Sequence, residues 1–232
     1  MPVNTENYQQ IITELNSDEV TLVAVYKTKT REDVLELYQL GQKAFGENYV
    51  QELVDKYEQL PRDIQWHFIG HLQSNKVKYI APFVSLIQAV DSKKLLIEIN
   101  KQGKKNDRTI DCLLQVHIAV EETKFGFDGN ELDELFATDF TGLQNVRIRG
   151  LMGMASFTDD GEKVRNEFKL LKSFFDKYAT FPVPFSPFTI LSMGMSSDYK
   201  IAIEEGSNMV RIGSLLFGER SPNPPEHGRQ PS

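Results

Sequence analysis

Apolar runs alternate with helix-like segments along almost the whole of this 232-residue chain, and that alternation limits the folds open to it. The runs are 21–27, 44–47, 66–70, 85–90, 112–119, 147–154, 188–193 and 209–213. Each is too short for a buried helix. Most are rich in Val, Ile, Leu, Phe or Met and end in Gly, Asp, Asn, Ser or Lys, as buried strands do. Between them, Val50, Leu53, Val54 and Tyr57 follow the i, i+3, i+4, i+7 spacing of a helix over 48–59, with Asn48 as its cap and Gln51 placed to reach back. Val164, Phe168, Leu171, Phe175 and Tyr178 make a similar stripe over 161–178. A helix at 31–42 starts at Thr30 with Asp33 three residues on and has Gly41 near its end, and one at 197–205 stops at Gly206. Eight strand–helix units in this length predict a single (β/α)8 TIM barrel, an α/β fold. A doubly wound open sheet competes, but no G-x-G-x-x-G follows the first strand and no linker or composition shift divides the chain. An extra N-terminal helix is expected at 5–16, and 180–187 reads as a stiff proline-containing loop. Residues 1–220 form the expected barrel. The last twelve, 221–232, carry four prolines and no apolar anchor, so disorder is expected there.

Composition removes several classes of function. Apolar residues make up 40% of the chain, enough for a large core. The net charge of −7, with no basic block beyond Lys101–Lys105, argues against a dedicated nucleic-acid or anionic-membrane binder. Cys112 is the only cysteine, so no internal disulfide can form. No signal pattern opens the chain and no apolar run approaches the roughly 18–20 residues of a membrane span. A cytoplasmic protein is expected.

Three strand ends carry chemistry. The first run ends at Lys27, whose side-chain parity matches Val23 and Val25 on the barrel's inner face, while Ala24 and Tyr26 face the helices. An amine held at that tip can lose its proton near neutral pH and attack a carbonyl to form an imine. Taken alone, it is an ordinary lysine at a strand end. Ser192-Met-Gly-Met-Ser196 follows the seventh strand: Gly194 permits close backbone approach, Ser196 supplies a hydroxyl, and the next helix offers free N–H groups to an anion. On the eighth strand Arg211 and Gly213 share the inner face, and a buried Arg needs an anionic partner. The loops after strands seven and eight are the usual phosphate site of such barrels, and closure makes strand eight the neighbour of strand one. A phosphate there and an amine on Lys27 lie about one small ring apart. The implied ligand is a phosphorylated aldehyde, and pyridoxal 5′-phosphate fits.

The chain resembles the pyridoxal phosphate homeostasis protein family, whose barrel is similar to that of fold-type III enzymes such as alanine racemase. The resemblance rests on Ala24-Val-Tyr-Lys-Thr-Lys29, Phe45-Gly-Glu-Asn-Tyr-Val-Gln-Glu52, Trp66-His-Phe-Ile-Gly70 with Leu72-Gln-Ser-Asn-Lys76, Arg149-Gly-Leu-Met152, Leu191-Ser-Met-Gly-Met-Ser196, Met209-Val-Arg-Ile-Gly213 and Phe217-Gly218. It implies that Lys27 carries the cofactor as an internal aldimine and that Ser196, Arg211 and Gly213 bind its phosphate. Asn48, His67 and Ser192 join the candidate cofactor-binding set. His67 is equally a hydrogen-bonded core residue, and Asn48 equally a helix cap. Tyr26 stands where the family often has a small residue, His71 where proline is frequent, and His117 where asparagine is commoner. A zinc site at His67 and His71 would need two further ligands, and none stands at suitable spacing.

A racemase uses two bases on opposite faces of the substrate, and the resemblance places the second on a separate β-domain. Only about one helix-length of proline-rich tail follows strand eight. The expectation is therefore a pyridoxal phosphate carrier and buffer without robust catalysis, acting in intracellular homeostasis of the cofactor. It is expected to be monomeric and to hand the cofactor to apoenzymes. A racemase-like enzyme on amino acids, or a class I aldolase forming its imine directly with a sugar phosphate, are the alternatives.

Overall fold

The computed structural model describes residues 3–17, 19–26, 30–119, 125–138, 140–180 and 187–218. Lys27, Lys29, most of the 180–187 loop and the tail from 221 lie outside the described residues.

Eight parallel strands close into a barrel in chain order. They are β1 (Thr21–Val25), β2 (Ala44–Glu47), β3 (Gln65–Phe68), β4 (Leu86–Val90), β5 (Ile110–Val116), β6 (Val146–Gly153), β7 (Ile190–Ser192) and β8 (Met209–Ile212). Closure runs through β1 and β8, with Thr21 opposite Met209 and Val23 opposite Arg211. The connecting helices are α2 (Arg31–Gln39), α3 (Val50–Gln59), α4 (Val77–Ile80), α5 (Lys93–Lys105), α6 (Gly129–Phe136), α7 (Gly161–Ala179) and α8 (Tyr199–Glu204), with α9 (Ser214–Phe217) after β8. The expected extra helix is α1 (Thr5–Ser17). It buries Tyr8, Ile11 and Leu15 and is tied to α9 by Asn4 N–H on the Leu216 carbonyl. No helix among the described residues is long and apolar enough to cross a membrane.

Strand parity divides the apolar residues into two cores. Val23, Ala44, Leu86, Ala89, Leu113, Met152 and Met209 fill the barrel. Ala24, Tyr26, Phe45, Trp66, Phe68 and Phe168 belong to the larger core between strands and helices. Tyr26 is fully buried there, against Phe45 and Trp66 at ring separations of 6.1 and 5.8 Å. It packs as parity requires.

Local signals mostly hold. Thr30 and Asp33 form a reciprocal capping box on α2, and Gly41 and Gly206 take left-handed φ of 102° and 94°. On α7 the stripe buries Val164, Phe168, Leu171 and Tyr178. Asn48 does not cap α3: that helix begins at Val50, and the Asn48 and Tyr49 N–H groups are taken instead by Glu47 Oε1 at 2.6 and 3.1 Å. The helix enters one residue later than expected, so Tyr49 takes the cap position and Asn48 lies outside it. Gln51 turns along the helix to Asp55. Helix α8 spans six residues, not the nine expected, because Asp198 Oδ1 accepts the Met195 N–H and holds 195–198 as a turn. Strand β5 is offset, beginning at Ile110 and ending at Val116.

Candidate functional site

The inner face of the barrel changes character towards the C-terminal ends of the strands. Arg211 lies opposite Val23 and points inward, almost fully buried. Its Nη1 donates to Ser192 Oγ at 2.6 Å and its Nη2 to the Gly153 carbonyl at 2.9 Å. Ser192 in turn donates to Gln88 Oε1 at 2.7 Å. Gln88 Nε2 stands 3.0 Å from His67 Nδ1 and 3.3 Å from Met209 Sδ. A single hydrogen-bonded chain therefore runs across β6, β8, β7, β4 and β3, beside the apolar barrel cluster that includes Val23, Leu86, Met152 and Met209.

Burial lowers the pKa of His67 to about 4, so the ring is neutral at physiological pH. Burial also lowers Arg211, to about 10, and Asp198 opposes that shift. The guanidinium stays cationic. Among the described residues no carboxylate reaches it at ion-pair distance, and both of its contacts are neutral acceptors. A buried cation so placed favours an anionic or electron-rich ligand.

The loops beyond β7 and β8 meet one level above. Gly213 N–H donates to Ser196 Oγ at 3.2 Å. A Cβ on Gly213 would stand 2.8 Å from the Val25 carbonyl, so this approach of β8 to β1 requires glycine. Gly194, with φ of 95°, packs where any Cβ would meet the Ala202 methyl at 2.6 Å. Ser196 and Gly213 are thus fastened beside the end of β1, and Val25 is two residues before Lys27. The donor set fits a phosphorylated ring compound: a hydroxyl, a glycine backbone and a guanidinium near the barrel's mouth.

Of the residues singled out in the sequence, Ser192 and Arg211 touch each other, Ser196 and Gly213 touch each other, and His67 joins the first pair through Gln88. Asn48 sits apart on the β2–α3 connection, its backbone pressed against Gly70 and its buried Oδ1 without a partner among the described residues. His71 leaves the interior, bonding Asp91 Oδ2 at 2.9 Å and stacking on Phe125 at 4.1 Å.

Two residues escaped sequence reasoning. Gln88 is one polar residue in an apolar strand, on the same face as Leu86, and that parity was its signal. Glu47 lies within a motif but faces outward. It sits behind the site with Lys56 Nζ 3.7 Å from its Oε2, and Lys56 also lies 4.4 Å from the Tyr26 ring centre. Burial first, and then the neighbouring Glu52, raise the Glu47 carboxyl to about 7 against the pull of Lys56.

The profile of the alanine racemase N-terminal domain matches residues 4–221. A pyridoxal phosphate homeostasis protein of Aquifex aeolicus is 44% identical over 200 residues, covering 86% of each chain. The chain belongs to the pyridoxal phosphate homeostasis family. A second family protein, from Pasteurella multocida, is 39% identical over 93% of this chain and 94% of its own. PipY of Synechococcus elongatus, solved without pyridoxal phosphate, superposes with a TM-score of 0.85 at 33% identity, covering 92% of this chain and 99% of its own. PipY solved with pyridoxal phosphate bound gives 0.77. Alanine racemase of Bartonella henselae shares the barrel, with a TM-score of 0.66 at 16% identity over 94% of this chain and 60% of its own. The homeostasis family thus keeps the racemase barrel architecture.

Proposed function

We propose that this chain holds pyridoxal 5′-phosphate through an imine to Lys27 and acts as a carrier and buffer of the cofactor, without robust catalysis. One observation carries the reading. Ser196 and Gly213 meet beside the end of β1, near a buried Arg211 whose acceptors among the described residues are all neutral. Ser196, Gly213 and Arg211 bind the phosphate. Lys27 Nζ condenses with the aldehyde, releasing one water. His67, Asn48 and Ser192 complete the cofactor-binding set. The names of the family relatives support a role in homeostasis, and PipY, in the same fold, was solved with pyridoxal phosphate bound. The carrier works as a monomer in the cytoplasm and passes the cofactor to apoenzymes.

Absorption spectra before and after borohydride test the imine. Lys27→Ala abolishes the imine band while the protein still melts cooperatively, and peptide mapping of the reduced protein places the adduct on Lys27. An adduct on Lys29 would overturn the assignment. The rate of α-deuterium exchange for L-alanine, L-serine and L-glutamate tests the absence of robust catalysis. Exchange at ordinary enzyme rates favours the racemase-like alternative.

A further inference from the structure

The hydrogen-bond chain inside the barrel has only one polarity consistent with all its members. A guanidinium donates and never accepts, so Ser192 Oγ receives the Arg211 N–H. Ser192 has one proton to give, and Gln88 Oε1 at 2.7 Å takes it. The Gln88 amide nitrogen then faces two acceptors, His67 Nδ1 and Met209 Sδ. Turning the amide round would press its oxygen against the Met209 sulfur, with no hydrogen between two acceptors, and would leave the Ser192 proton without this acceptor. Each group between the chain's ends is thus committed, and direction passes from Arg211 to Ser192 to Gln88 to His67.

We infer that Gln88 is a positioning residue that locks the proton of His67 on Nε2, so the ring meets a bound ligand as a hydrogen-bond donor with no lone pair to act as a base. The reason is local. Nδ1 holds its lone pair in the bond from Gln88, and Nε2 carries the proton. An imidazole can abstract a proton only through an unoccupied nitrogen lone pair. His67 is buried in this chain of bonds and belongs to the candidate cofactor-binding set, so this lock removes a candidate base from the pocket wall. The consequence for reactivity rests on the carrier reading above, whereas the tautomer itself does not.

The test begins on cofactor-free protein. Nitrogen-15 NMR of histidine-labelled protein, with the His67 signals assigned by their loss in His67→Gln, gives an unprotonated Nδ1 and a protonated Nε2. A proton on Nδ1 in the wild-type protein overturns the inference. Gln88→Glu replaces the donating amide with an accepting carboxylate, so the proton moves to Nδ1. Gln88→Met removes the donor without adding an acceptor, and the two tautomers mix. A wild-type spectrum in a folded variant overturns the role of Gln88. If neither variant folds, the wild-type spectrum still decides the tautomer. With pyridoxal phosphate added, Gln88→Glu raises α-deuterium exchange of L-alanine by about tenfold or more, since Nε2 is now free to accept a proton. Unchanged exchange in a protein whose tautomer has switched overturns the claim that the lock suppresses chemistry. Failure to bind the cofactor would appear in the absorption spectrum and would count against the carrier reading alone.

Discussion

Inside the barrel, Ser192 and Gln88 each both receive and give a hydrogen bond, linking Arg211 to His67 across several strands. On the outer side of the same barrel, Tyr26, Glu47 and Trp66 each keep a buried polar atom with no hydrogen-bond partner among the described residues. The interior chain satisfies its members and so orders them. The outer wall leaves a hydroxyl, a carboxylate oxygen and an indole N–H under-used, each at a cost of about 1–3 kcal/mol. The two regions serve different ends. The interior fixes a cation and an imidazole at the two ends of one hydrogen-bonded chain. The wall adjoins that site, since Tyr26 precedes Lys27 and Glu47 precedes Asn48, and there apolar packing and one nearby lysine outweigh unmet polar demand.

The contrast can be broken most directly at its charged end. Arg211→Ala removes the only formal charge in the interior chain and should weaken pyridoxal phosphate retention by roughly 2–4 kcal/mol, read from equilibrium dialysis. Pyridoxal lacking the phosphate should be held poorly by the intact protein. Equal retention of the two would show that the loops after β7 and β8 are not the anion site.

Acid should find the interior next. His67 titrates near 4 when folded and near 6.5 when unfolded, so the unfolded chain binds its proton first as pH falls. Stability contributed at neutral pH is lost progressively between those values, up to roughly 3 kcal/mol. The Glu47 wall slopes the other way. Its carboxyl is raised from 4.5 to about 7, so its contribution is present at low pH and is lost as pH rises through that window. Urea unfolding across pH 4–8 should show Glu47→Gln gaining stability relative to wild type as pH rises, and His67→Gln flattening the acid limb. Parallel curves for all three proteins would erase the distinction.

Ser192→Ala should cost about 2 kcal/mol in the same assay, because it strands Gln88 Oε1 and an Arg211 N–H together. Tyr26→Phe is the smallest change and the sharpest contrast. It deletes a hydroxyl that bonds nothing among the described residues while keeping the ring against Trp66 and beneath Lys56, so stability should rise by about 0.5–1 kcal/mol. A loss there would mean that the hydroxyl has a partner.

Much of this architecture was legible beforehand. Alternating strands and helices, the capping box at Thr30, the glycine ends at 41 and 206 and the apolar stripe of α7 are local patterns whose physics acts within a few residues. Strand parity also turned Arg211 inward and Tyr26 outward, because alternation along a strand needs no knowledge of its neighbours. Asn48 misses the cap of α3 because the helix enters one residue later than the local pattern suggests, with Tyr49 in the cap position, and the end of β2 decides where that entry falls.

The sequence by itself determined the eightfold unit, the face on which each strand residue lies and the residue types available at the strand ends. Only the tertiary structure decided which of these residues meet. His67 and Arg211 are 144 positions apart and are joined by Gln88 and Ser192, residues that carry no local signal of partnership. Barrel closure brings together side chains from strands distant in sequence. Hydrogen-bond direction, and with it the state of His67, then follows from the whole chain of partners and from no single residue.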